Sequence, residues 1–159
     1  PRHDQLDAAE DATALARGRP GSMLILVVVV GPLVEEVGKI MAPLMVVERN
    51  PARFTRPSQI VVCGLMAGLV FAVIENFMYL KVYIDDPTPA LVAWRWSVCV
   101  LLHTGCSLLA ASGVARIRST CLREKKPPVL ETGAPRILLA VGVHGVYNLL
   151  AVLLNPLFT

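Results

Sequence analysis

The stretch Gly31-Pro-Leu-Val-Glu-Glu-Val-Gly-Lys39 lies in the middle of an apolar run from about Ser22 to Val47. That run is long enough to cross a bilayer, which takes roughly 20 residues. A charged side chain near the centre of such a span costs on the order of 3 kcal/mol. Three of them at one depth exclude a helix facing lipid on all sides. They must pair with each other or face other protein. Glu35 and Lys39 are spaced i, i+4 and Glu36 and Lys39 i, i+3, so both carboxylates reach the ammonium along one helix. A salt-bridged cluster accounts for their pairing but not for their presence, and ionisable groups at membrane depth mark functional sites by default.

Composition points to the same solvent. The chain is 55% hydrophobic and 17% charged, with a mean hydropathy of +0.60. A soluble domain carries about 25% charged residues. The net charge of +3 does not argue for nucleic acid, because the basic residues fall between apolar runs. Cys63, Cys99, Cys106 and Cys121 show no CxxC spacing, and three of them lie inside apolar runs, which argues against a zinc–cysteine site or a disulfide framework. The chain begins at Pro1 rather than Met, as expected of a processed protein or an excerpt of a longer one.

We read an all-α polytopic transmembrane bundle. A polar tail covers residues 1–21, and about four spans cover 22–47, 59–84, 90–115 and 137–154. Arg17 and Arg19 before an apolar stretch imitate a signal peptide, but no small-residue cleavage site follows. Pro32 and Pro43 should kink the first span and free carbonyls that neighbouring helices must cover. The loops at 48–57 and 116–136 hold three and six Lys/Arg and the turn at 85–89 none, so the positive-inside rule places both basic loops in the cytoplasm. The expected setting is an integral, multi-pass protein, in the cell membrane if bacterial.

Counted from the non-cytoplasmic end, Glu35, Glu75, His103 and His144 fall within roughly 6 Å of one another along the membrane normal. One polar layer explains this better than four coincidences. Gly64, Gly68, Phe71 and Glu75 share a stripe whose small residues let another helix approach. His103 shares a face with Cys99, Cys106, Ser107 and Ala110. His144 shares one with Ala140, Asn148 and Ala151. Taken singly, each histidine suits a buried interhelical hydrogen bond, and Asn76 and Asn148 suit helix packing. Arg95 is expected near the outer surface against Asp85 or Asp86, with a site role as its alternative.

Two carboxylate clusters and two imidazoles in a dry layer suit activation of water by a carboxylate base, with donors for an oxyanion. They also suit a metal, since a catalytic zinc takes three protein ligands, or a proton or cation pathway in a small transporter. A scaffold that only binds membrane partners is the third class.

Glu35-Glu36-x-x-Lys39, Phe71-x-x-x-Glu75-Asn76, a single His103 in the third span and His144-x-x-x-Asn148 together resemble the PrsW family of intramembrane proteases. That family is related to the prenyl-protein (CAAX-type) endopeptidases and the bacteriocin-processing membrane proteases. The resemblance runs from about Pro32 to Ala151. It implies a four-helix core that hydrolyses peptide bonds of membrane proteins or membrane-associated peptides, such as anti-sigma factors. It further implies Glu35, Glu36, Glu75, His103, His144 and Asn148 as catalytic residues and Lys39 and Asn76 as supports. Glu35 is then the water-activating base, with His103, His144 and Asn148 on the oxyanion. If a metal such as zinc is present, its ligands are Glu75, His103 and His144. Glu75 stands where the related prenyl-protein endopeptidases have histidine. The expected partners are the substrate and the lipid bilayer, with no nucleic acid.

Overall fold

The computed structural model describes residues 20–154, and the expected tail lies almost wholly outside them. Four helical stretches follow one another with no strand among the described residues. The first, α1, covers 20–49 and contains a π-helical turn at Leu26–Val30. Helix α2 is Pro57–Tyr83, α3 is Pro89–Glu124 and α4 is Ala134–Leu154. Helices α2, α3 and α4 are each long and apolar enough to cross a membrane.

The burial pattern is that of a bundle built for lipid. Val62, Met66, Val70, Ile74 and Phe77 of α2 and Leu138, Leu139, Val146, Leu150 and Leu153 of α4 point outward. Glu36, Lys39, Asn76, His103, Ser107 and His144 are buried. Water would reward the opposite arrangement.

Each helix faces inward along a narrow stripe. On α1 it runs through Pro32, Glu36, Lys39, Ile40, Pro43 and Val47, and on α2 through Ile60, Gly64, Gly68, Ala72 and Asn76. The α2 stripe has one small residue per turn, so α3 packs on its backbone. A Cβ on Gly64 would stand 2.8 Å from Ser107 O, and one on Gly68 would stand 2.8 Å from His103 O. This is the close approach that the glycine spacing led us to expect, with Phe71 and Glu75 flanking the line of contact.

Pro32 acts locally. It has no N–H to offer the carbonyls one turn back, in the π-helical turn. One of these, Val27 O, accepts instead from Asn148 Nδ2 at 2.9 Å. The freed carbonyl is covered by a neighbouring helix, as expected.

The loop expected at 116–136 is corrected at both ends. Helix α3 continues to Glu124, and α4 begins at Ala134. The apolar composition stops at Ala115, but Ile117, Arg118 and Cys121 remain buried. Arg118 holds this extension down: its Nε donates to Pro51 O and Phe54 O, at 3.1 and 2.9 Å, and its Nη2 also donates to Phe54 O. The helix ends where Lys125 turns left-handed (φ 53°) and Pro127 and Pro128 prevent its continuation.

Candidate active site

The polar cluster is assembled by all four helices. Glu35 and Glu36 sit on consecutive positions of α1, so their side chains diverge by about 100°. Glu36 is fully buried and Glu35 half-buried. One turn on, Lys39 Nζ donates to Glu36 Oε1 at 2.8 Å, lies 3.0 Å from His103 Nδ1 and 3.9 Å from Glu35 Oε2, and rests 4.2 Å above the Phe71 ring. A buried carboxylate is tolerable only when paired in this way.

Each histidine has one ring nitrogen on a carboxylate. His144 Nδ1 is 2.8 Å from Glu36 Oε1, and His103 Nε2 is 2.9 Å from Glu75 Oε2. The other nitrogens turn toward Glu35: its Oε2 lies 3.8 Å from His144 Nε2 and 4.0 Å from His103 Nδ1. The two imidazoles meet edge to face with centroids 4.9 Å apart.

Among the described residues, Glu35 Oε2 is the buried side-chain oxygen that lacks a hydrogen-bond partner. A buried acceptor in that condition fits a catalytic role or a bound water or ion. Glu35, His103 and His144 each bring a ligand atom within 4.8 Å of the others. This is the donor set of a catalytic zinc, and each histidine is backed by a carboxylate in the manner of metal-ligating imidazoles. Charge agrees, since three carboxylates face two fixed cations, Lys39 and Arg95, and one negative charge is left unmatched. The residues present therefore fit a divalent metal. The grouping differs from the sequence expectation in one member, with Glu35 taking the place of Glu75. The Oε2 of Glu75 is engaged by His103 and by Arg95.

The structure thus brings Glu35, Glu36, Lys39, Glu75, His103 and His144 together. Asn76 stands one step behind, with Nδ2 donating to Arg95 O at 3.0 Å and Oδ1 accepting from Arg95 Nε at 3.1 Å. Asn148 is occupied with Val27 O.

Arg95 is the residue that sequence reasoning misplaced. It is not held by Asp85 or Asp86 but donates through Nη2 to Glu75 Oε2 at 2.8 Å, with its guanidinium 3.8 Å from the Tyr79 ring. The signal was in the spacing, because the His103–Cys99 stripe extended by four residues reaches Arg95. The π-helical turn at Arg95–Cys99 helps turn that side chain inward.

The PrsW family of intramembrane metalloproteases matches residues 7–159. This chain belongs to that family. No curated protein and no solved structure matches it. Family membership supports a peptidase embedded in the membrane, and the metalloprotease description agrees with the Glu35, His103, His144 set of this PrsW-family chain.

Proposed function

We propose that this PrsW-family protein is an intramembrane endopeptidase that cuts membrane-protein substrates, anti-sigma factors being one such class. Its metal, zinc by the chemistry of the donors, is held by Glu35, His103 and His144. The observation that carries the reading is Glu35 Oε2, buried, without a hydrogen-bond partner and facing His144 Nε2 and His103 Nδ1. Lys39 Nζ contacts the second of these nitrogens at 3.0 Å and would have to release it to a metal. When bound, the ion supplies Lewis-acid polarisation of the scissile carbonyl.

The protein's own groups do the remaining work. Glu36 and Glu75 fix the orientation and tautomer of His144 and His103. Lys39 and Arg95 hold those carboxylates in place. Glu75, with a side chain 23% exposed, takes the proton of the attacking water and returns it to the leaving amine. This exchanges the roles that the sequence alone suggested for Glu35 and Glu75. Asn148 acts by keeping α4 on α1 rather than by touching the oxyanion.

Helix α1 crosses the membrane as a fourth span. Its 20–49 stretch is about 45 Å long, and Glu36 and Lys39 face inward. The ends carrying 48–57 and 116–136 face the cytoplasm.

The test is metal content and cleavage of a membrane-peptide library, measured on purified Glu35→Gln and Glu75→Gln. Glu35→Gln should lose the metal and cleavage together. Glu75→Gln, which also removes the charge behind His103, should weaken metal binding by no more than about 10- to 100-fold. At saturating metal it should lose turnover by about a hundredfold or more. Cleavage that survives removal of the metal would overturn the metal reading and return Glu35 to the role of base.

A further inference from the structure

At the opposite end of the bundle from the π-helical turns, a cleft of about 420 Å³ opens between α2, α3 and α4. Its apolar wall is Pro57, Val61 and Ala115, and its rim is Arg116, Arg123 and Arg136. Among the described residues no carboxylate lines it. The arginines come from two helices, so their convergence is a product of packing rather than of a basic run. Arg136 is held in position by one nitrogen, Nη1, which donates to Ser112 O at 3.2 Å and lies 3.4 Å from Ser112 Oγ. The rest of its guanidinium fork is left for a ligand. Arg123 pairs with exposed Glu124 at 3.2 Å, a contact of little strength in water.

The depth of the cleft specifies the ligand. Ser112 and Arg136 lie about 12–14 Å along their helices from His103 and His144, and Arg116 lies about 20 Å from His103. Half of a bilayer's hydrocarbon core is about 15 Å thick. With the histidines near the midplane, Ser112, Ala115, Arg116 and Arg136 all lie at about the boundary between the hydrocarbon core and the headgroups, and Arg123 lies beyond it. The first carbons of an acyl chain and the phosphate are there within reach of one cleft. Basic pockets between helices at this level suit lipid phosphates, which guanidinium groups bind in a bidentate manner.

We propose that this cleft binds the phosphate headgroup of an anionic phospholipid, with the first carbons of an acyl chain against Val61 and Ala115. The proposal rests on the membrane-embedded reading and is independent of the peptidase chemistry. Native mass spectrometry of the full chain in neutral detergent, titrated with phosphatidylglycerol, phosphatidylcholine or inorganic phosphate, tests it. Phosphatidylglycerol should bind well below the concentration that phosphatidylcholine requires. Arg116→Gln/Arg136→Gln should weaken that binding about 25-fold, at about fivefold per arginine. Lys125→Gln/Lys126→Gln, which removes the same charge outside the cleft, should leave it within about twofold. If loss of the Ser112 contact unfolds the double variant, Arg116→Gln alone should show the fivefold step. Equal binding of the two lipids, or equal loss in both double variants, would overturn the proposal. Inorganic phosphate binding as tightly as phosphatidylglycerol would overturn the lipid as its source.

Discussion

The two halves of this bundle are built on different physics. In the half toward the basic ends, Ile40, Val47, Ile60, Ala110, Ala111, Val114, Ile117 and Ala140 pack into one apolar core. The other half buries charge: Glu36, Lys39, His103 and His144 are held by hydrogen bonds and ion pairs between helices. The π-helical turns at Leu26–Val30, Tyr79–Tyr83 and Arg95–Cys99 all belong to this second half. Such turns spoil the regular hydrogen-bond ladder and redirect side chains, and they are frequent at functional sites. The packed half sets how the helices cross, and the polar half uses that frame to hold groups that would otherwise repel or separate.

Substitutions in the two halves should therefore fail differently. Gly64→Val should have the largest effect, because its side chain would collide with Ala111 and the Ser107 carbonyl of α3. Overpacking of a core costs about 1–3 kcal/mol, and more where the obstacle is backbone. The folded, monodisperse yield in detergent should fall, and metal and cleavage should fall with it. A well-folded but inactive Gly64→Val would break the comparison, since the frame would then not be what the glycine maintains.

Arg95→Gln acts on the polar half alone. It removes the ion pair that orients Glu75 while leaving the apolar core untouched. Loss of such an outer partner costs about 10- to 100-fold in metal affinity or activity. Cleavage rates and metal titration should show that drop with little change in thermal unfolding. A drop in unfolding temperature as large as that of Gly64→Val would mean that the two halves are one cooperative unit.

The smallest effect belongs to Asn148→Ala, which removes the hydrogen bond to Val27 O. The bond lies at the surface of the bundle, and one such bond between helices contributes about 1 kcal/mol. Unfolding in detergent should register that decrement, and activity should stay within about tenfold of the parent chain. Complete loss of cleavage in a stable Asn148→Ala would place the amide on the reaction itself and sharpen the boundary between frame and site.

Much of the site was legible because depth along a helix can be counted. The i, i+3 and i, i+4 spacings put Lys39 beside Glu35 and Glu36, and the counting of levels put Glu75, His103 and His144 with them. Charges in an apolar run have few solutions, so their pairing follows closely from their positions. The small-residue stripe of Gly64 and Gly68 was legible for a similar reason, since α3 reaches the α2 backbone only where no side chain intervenes.

Three features needed the tertiary structure. Composition ends α3 at Ala115, whereas Arg118 on the backbone of the α1–α2 connection carries the helix on to Glu124. Helical spacing carries the Cys99–His103 stripe on to Arg95, but its partners were decided by packing, because the bonds with Asn76 and Glu75 form only when α2 and α3 come together. The choice between Glu35 and Glu75 as the carboxylate facing both imidazoles also depends on three-dimensional partners. Arg95 engages Glu75 and no donor reaches Glu35 Oε2. The sequence by itself determined a helical membrane bundle with acids and imidazoles at one level, because the bilayer restricts both backbone and charge. Which oxygen was left without a partner was decided by packing, because hydrogen bonds between helices depend on distances that spacing along one helix does not specify.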